Sequence, residues 1–138
     1  METGQHNDET VIRQVLERYA EGWRNADVAI LTSTWDKDYP GLYLASEKPV
    51  PIYGYADISK YYTDALALYP ITKMEISNVA IELFSEVASA FCDIEIGFKV
   101  ADTEYVVFPR ATFLFRRNEG EWLCIQYHES IKYEVPAG

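Results

Sequence analysis

His128 and Arg110 are the side chains whose types and setting best suit chemistry. An imidazole is the usual group for proton transfer near neutral pH. His128 stands in Glu121-Trp122-Leu123-Cys124-Ile125-Gln126-Tyr127-His128-Glu129-Ser130, where alternate apolar positions give way to His128 and then Ser130. Residues two apart on a strand share a face, so His128 and Ser130 point the same way. Before this run comes Arg110-Ala111-Thr112-Phe113-Leu114-Phe115-Arg116-Arg117, joined to it through Asn118-Glu119-Gly120. A three-residue hairpin loop there sets Arg110 near His128 and Thr112 near Gln126, gathering Arg110, Thr112, Gln126, His128 and Ser130 into one polar cluster. Arg110 would favour a neutral His128 ready to act as a base, and could hold a ligand carboxylate in bidentate fashion. The plainer alternative is that His128 and Ser130 satisfy each other at a strand end or subunit interface, while Arg110 makes a surface ion pair. A one-residue change in the turn disperses the cluster.

The other polar residues point to less. His6, the second histidine, lies in a polar N-terminal segment and is expected to be exposed or loose. Asp36 and Asp38 flank Lys37 and could reach a pocket mouth with Tyr39 and Tyr43, but neither has a recognisable partner. Asp93 and Glu95 alternate with Cys92, Ile94 and Ile96 and read as a solvated sheet face. There is no close His pair, Cys pair or calcium-loop pattern, so no metal is expected. Nor is there a glycine-rich phosphate loop or a nucleophile elbow, and no cofactor is expected.

These residues must be held by one domain. A chain of 138 residues with 49% hydrophobic content can bury a substantial core. The expectation is a single domain over 1–138, with 1–7 flexible. A net charge of -10 with scattered basic residues argues against nucleic acid and anionic membranes as partners. No apolar run approaches the roughly 20 residues needed to span a bilayer, and the first residues lack a signal peptide's apolar core. A cytoplasmic location is expected. Cys92 and Cys124 sit inside apolar patterns and read as small core residues rather than a disulfide.

From Asp8 to Trp23, the residues Val11, Ile12, Val15, Leu16, Tyr19, Ala20 and Trp23 recur at helical spacing. Asn25-Ala26-Asp27 supplies a stop and a new N-cap, and Val28, Ile30, Leu31 and Trp35 suggest a short second helix. Prolines and glycines between Asp36 and Gly54 cut the chain into short extended pieces, among them Leu42-Tyr43-Leu44-Ala45. A third helix carries Ile58, Tyr61, Tyr62, Ala65, Leu66 and Tyr69 and ends before Pro70. Four strands follow near 71–84, 87–100, 103–117 and 121–134, in an antiparallel meander. Helices first and a long sheet afterwards describe a two-layer α+β domain. A strongly curved sheet would leave a cavity, and 11 tyrosines with 3 tryptophans suit a wall that is apolar along its sides with polar tips.

With these elements in place, the chain resembles the nuclear transport factor 2-like superfamily, particularly its SnoaL-like branch, and the association domain of calcium/calmodulin-dependent protein kinase II. The resemblance covers nearly the whole chain. It is carried by Arg110-Ala111-Thr112, by Arg116-Arg117-Asn118-Glu119-Gly120-Glu121-Trp122, by Tyr127-His128-Glu129-Ser130, and by Glu17-Arg18-Tyr19-Ala20 with Trp23-Arg24-Asn25-Ala26-Asp27. It implies three N-terminal helices packed in the concavity of a curved, mainly antiparallel sheet, a pocket at the open end, and homodimers packed through the sheet. Superfamily activities include isomerases, dehydratases, cyclases, hydrolases and proteins with no catalysis, so each must be tested at its own residues. Ketosteroid isomerase uses a carboxylate base with a tyrosine and a protonated aspartate as oxyanion donors. Tyr19 matches that tyrosine's place, but Ala111 takes the aspartate's. The base's place falls near Leu44-Ala45-Ser46, which carries no carboxylate, so that mechanism is not expected.

Two functions remain open. One is a cofactor-independent enzyme acting by proton transfer on a small apolar, aromatic or carboxylated molecule. In it His128 is the acid/base, Tyr19 donates to an oxyanion, Arg110 orients an anionic group, and Trp23, Trp35, Tyr43 and Tyr61 form apolar walls. The other is a non-catalytic module that binds a ligand or oligomerises. Convergence of His128 and Tyr19 on an empty volume favours the enzyme, and a pocket plugged by its own tyrosines favours the module.

Overall fold

The computed structural model describes the backbone of residues 2–132 and the side chains from Asn7 to Lys132. The expectations for His6, for the side chains of residues 1–6 and for the strand end at 133–134 lie outside the described residues. Helix α1 is Glu2–Arg24, longer at its start than the apolar spacing indicates. Asp8 does not cap it: the Asp8 carboxylate receives Trp122 Nε1 at 3.1 Å and Arg117 Nη2 at 2.6 Å, tying the helix to the last hairpin. Ala26, at φ 52°, turns the chain, and Asp27 caps α2 (Val28–Ser33) by accepting from Ile30 N at 3.1 Å. Gly22 lets the two helices close up, because a Cβ there would sit 2.7 Å from Leu31 Cγ. Trp35 falls beyond α2. Thr34 and Asp36 instead exchange backbone hydrogen bonds with Cys124, Cys124 N to Thr34 O at 2.8 Å and Asp36 N to Cys124 O at 3.0 Å.

Two short strands follow, β1 (Leu42–Leu44) and β2 (Ile52–Tyr53), then α3 (Tyr55–Leu68). As expected, α3 stops before Pro70, with Tyr69 extended at φ -136°. The remaining strands are β3 (Ile71–Phe84), β4 (Val87–Val100), β5 (Thr103–Val107), β6 (Pro109–Asn118) and β7 (Glu121–Ile131). The single strand expected near 103–117 is divided at Phe108. Register explains the division: Ile96 faces Val107 and Asp93 faces Arg110, so β5 and β6 continue one ladder along β4. Pro109, which has no N–H to give, interrupts it.

The sheet runs β2-β1-β7-β6-β4-β3, with β5 also on β4. The long strands pair antiparallel as a meander, but β1 joins β7 in parallel, so the sheet is mixed. Irregularities at Ile71/Lys73, at Ser77/Ala80 and at Leu114/Phe115 bend the strands, as bulges do, and the sheet curves. Helices and sheet meet in one core. Ile12, Leu16, Tyr19, Ala20 and Trp23 form the buried stripe of α1, and Ala88, Ala90, Cys92, Ala111, Phe113, Phe115 and Tyr127 come from the sheet. Cys92 and Cys124 are free and buried, as expected. No helix among the described residues is long and apolar enough to cross a membrane.

The β6–β7 hairpin departs from expectation in two ways. Glu119 (φ 53°) and Gly120 (φ 82°) are both left-handed and form a two-residue turn in place of the three-residue loop. Then, between Leu114 and Phe115 of β6, the register slips by one: Phe115 faces Cys124 while Leu114 faces Gln126, leaving Ile125 as the extra residue.

Candidate functional site

That extra residue decides what faces the interior. A one-residue insertion moves every later side chain to the opposite face. Trp122 and Cys124 are buried, Cys124 and Ile125 are buried consecutively, and from there the inward positions are Tyr127 and then Glu129, while Gln126, His128 and Ser130 are exposed. On β6, Ala111, Phe113 and Phe115 are buried, and Arg110 and Thr112 are exposed. The five residues expected to make a polar pocket cluster therefore do share a face, but it is the outer one. Thr112 stands opposite His128 and Arg110 opposite Ser130, with Arg110 Nη2 donating to Ser130 Oγ at 3.2 Å. This corrects their placement: none of the five lines the cavity, and Arg110 meets no ligand carboxylate there. Asp93 and Glu95 also lie on that face, paired with Asn78 and Lys73 as a solvated surface requires.

The cavity has a volume of about 400 Å³. Tyr19 and Trp23 reach it from α1, Tyr43 from β1, Tyr61 from α3, and Tyr69 from just beyond the end of α3. Met74, Ile94 and Ile96 cover the side formed by β3 and β4, and Tyr127, Glu129 and Ile131 the side formed by β7. Of the aromatic residues expected in a pocket wall, Tyr19, Trp23, Tyr43 and Tyr61 are there. Trp35 is not. It is buried behind the wall, donating from Nε1 to the Tyr62 hydroxyl at 2.8 Å.

The parallel pairing of β1 with β7 builds the centre of the wall. Tyr43 is the register partner of Tyr127, and their rings stack at 4.5 Å and 18°. Tyr19 meets Phe113 edge-on at 5.0 Å, and its hydroxyl lies 3.0 Å from that of Tyr43. Burial raises the pKa of Tyr19, Tyr43, Tyr62 and Tyr127 far above the phenol range, so they stay neutral and serve as hydrogen-bonding groups, not bases. Burial likewise raises Tyr61, with the Glu47 hydrogen bond and charge adding to it.

Two carboxylates remain, and both escaped the sequence reading. Glu129 Oε1 accepts from the Tyr127 hydroxyl at 2.5 Å, while Oε2 accepts from Ser46 Oγ at 2.6 Å and Ser46 N at 3.1 Å. Glu47 Oε1 accepts from the Tyr61 hydroxyl at 2.5 Å. Segment Leu44–Ser46 carries no carboxylate of its own, and Glu129 of β7 docks against it. The signal in the sequence was the triplet Leu123-Cys124-Ile125, which breaks strict alternation and marks a phase slip before Tyr127-His128-Glu129. With the phase corrected, Glu129 is the polar residue that follows Tyr127 on the inner face. Glu47 and Ser46 had no comparable signal. Among the described residues lining the cavity there is no Lys, Arg or His.

Asp36 does not reach this mouth. Its side chain is wholly enclosed and accepts from Arg116 Nε at 2.5 Å and Asp38 N at 2.8 Å. Burial would raise its pKa, but these hydrogen bonds, with the Arg116 charge and Asn118, outweigh that and hold it below the carboxylate range. Among the described residues no group of three or more His, Cys, Asp or Glu is placed to hold a metal ion.

Several solved structures share this fold. A protein proposed to be a dehydratase of the nuclear transport factor 2-like family, from Streptomyces avermitilis, superposes with a TM-score of 0.82 at 17% identity, over 94% of this chain and 99% of its own. A nuclear transport factor 2-like protein with a cystatin-like fold from Novosphingobium aromaticivorans gives 0.79 at 18% identity, over 98% and 88%. A protein from Xanthomonas campestris, proposed to be a calcium/calmodulin-dependent protein kinase II association domain, gives 0.77 at 17%, over 90% and 87%. At these identities the likeness is one of fold. No curated protein matches the sequence. The SnoaL-like domain family matches residues 12–134, the span that contains the core, the aromatic wall and Glu129, and the chain belongs to that family.

Proposed function

We propose that this protein binds a small, largely apolar molecule carrying an aromatic group in the cavity, and acts on it by cofactor-independent proton transfer, with Glu129 as the acid/base. The observation that carries this reading is the Glu129 carboxylate set, with Ser46 and Glu47 beside it in the lining, in a mostly apolar and aromatic cavity of about 400 Å³, a size within the range of small-molecule sites. Tyr127 and Ser46 fix the direction of that carboxylate, as a proton-transfer group requires. His128, on the outer face, has no part in this chemistry, and Tyr19 shapes the wall and supplies its hydroxyl. The reading takes the three helices as seated in the concavity of the sheet. It also takes the protein as a cytoplasmic homodimer packed through the outer sheet face. Phe91, 47% exposed on that face, and two free thiols support those two points.

The test is native mass spectrometry of the purified protein followed by denaturing extraction. The expected result is a dimer carrying a small aromatic-bearing molecule, whose turnover is lost in Glu129→Gln and kept in His128→Ala. An empty protein in which Glu129→Gln changes nothing would oppose it. A second reading, a binding module without turnover, is favoured by one observation: Tyr19, Tyr43 and Tyr127 of the cavity wall are fully buried and pack against one another, with Tyr62 against Tyr19 and Tyr43. In that case the extracted molecule would be bound equally by Glu129→Gln and never converted.

A further inference from the structure

We infer that the ligand of this cavity is an organic cation, an ammonium group carried on an apolar or aromatic body. The inference rests on the reading of the cavity as a ligand site and adds the charge of what fills it. Glu47 and Glu129 both line the cavity, and among the described residues no cationic side chain does. Glu129 is held by the N–H and Oγ of Ser46, the residue directly before Glu47, and Glu47 accepts from the Tyr61 hydroxyl. An anionic ligand would meet two like charges, whereas an ammonium would meet two opposite ones.

The aromatic wall makes the same selection independently. Tyr61 and Tyr127 donate to the two carboxylates and Tyr43 packs against both rings, and aromatic rings lining a cavity attract cations through their π systems. The chain itself supplies an example: Lys48 Nζ lies 5.6 Å from the centroid of the Tyr61 ring. Lys48 lines a shallower depression that adjoins the cavity through Ser46 and Glu129, so that ring already faces one ammonium. The ligand thus has an ammonium near Glu129 and Glu47 and an apolar body against the rings. The net charge of -10 would speed the approach of such a molecule.

The experiment is a set of titrations with three probes of similar size: benzyltrimethylammonium, its uncharged carbon isostere neopentylbenzene, and phenylacetate. The cation should bind at least about tenfold tighter than phenylacetate, and Glu129→Gln should weaken the cation about tenfold while leaving neopentylbenzene within about twofold. Glu47→Gln, in an exposed loop where misfolding is not at issue, should also weaken the cation selectively. Equal or tighter binding of phenylacetate, or a cation affinity unchanged in both variants, would overturn the inference. If only neopentylbenzene binds, the cavity is a ligand site and the inference about charge is wrong. If none of the three binds, the reading of the cavity fails as well.

Discussion

Removing the Tyr127 hydroxyl tests whether Glu129 is held as described. Tyr127→Phe keeps the ring and its 4.5 Å stack on Tyr43, and deletes only the donor 2.5 Å from Glu129 Oε1. A hydrogen bond to a charged group contributes about 1.5–3 kcal/mol. Tyr127 is fully buried, but Glu129 is only half-buried and water can reach it, which favours the lower end. The expected loss is therefore about 1.5 kcal/mol, or a drop in Tm of about 5 °C for a domain of this size. Glu129→Ala alone also removes the two Ser46 contacts and should cost somewhat more. Because each variant removes the same hydrogen bond, Tyr127→Phe combined with Glu129→Ala should cost less than the sum, with a coupling of at least about 1 kcal/mol. Guanidinium denaturation of the four proteins measures this. Additivity within about 0.5 kcal/mol would refute the contact.

Other consequences can be checked with equal directness. His128→Ala and Arg110→Ala alter positions on the outer face, away from the cavity, and should leave ligand affinity unchanged in calorimetric titrations. Because the Asp36 pKa is lowered in the folded state, its stabilising contribution is complete above the unfolded value near about 4 and is lost as pH falls through the lower folded value. Asp36→Asn should accordingly be less stable at neutral pH and show a shallower acid decline in pH-dependent denaturation, and a parallel decline would contradict this. Burial pushes the Cys92 thiol up to about 12, and raises Cys124 as well, so neither should react with a thiol reagent at pH 8 until the protein is unfolded. Rapid labelling of the native protein would show the strands to be open.

Most of the architecture is visible in local pattern. The ends of β3 and β4, the stop of α3 at Pro70 and the cap at Asp27 follow from short-range rules about turns, prolines and caps. The site was harder to read because it depends on phase and on distant pairing. Cys124 and Ile125 are buried in succession, and that single slip exchanges His128 for Glu129 on the inner face. Strict alternation carried forward from Trp122 pointed to the wrong residue. The partner of Glu129 comes from Ser46, 83 residues earlier, through a three-residue parallel strand whose pairing no local signal announces. Aromatic abundance did indicate a walled cavity. It did not separate Trp35, which lies behind the wall, from Tyr43 and Tyr61, which line it.

The central claim is that ligands enter the face that carries Tyr127 and Glu129 and leave the His128 face untouched. Met74 lines the cavity and Met1 is the only other methionine, so a protein labelled with methyl-13C methionine offers a reporter inside it. On titration with toluene, the Met74 methyl signal should shift with the ring current of the bound molecule while the His128 ring signals stay in place. Saturating toluene that shifts His128 and leaves Met74 unmoved would contradict the account.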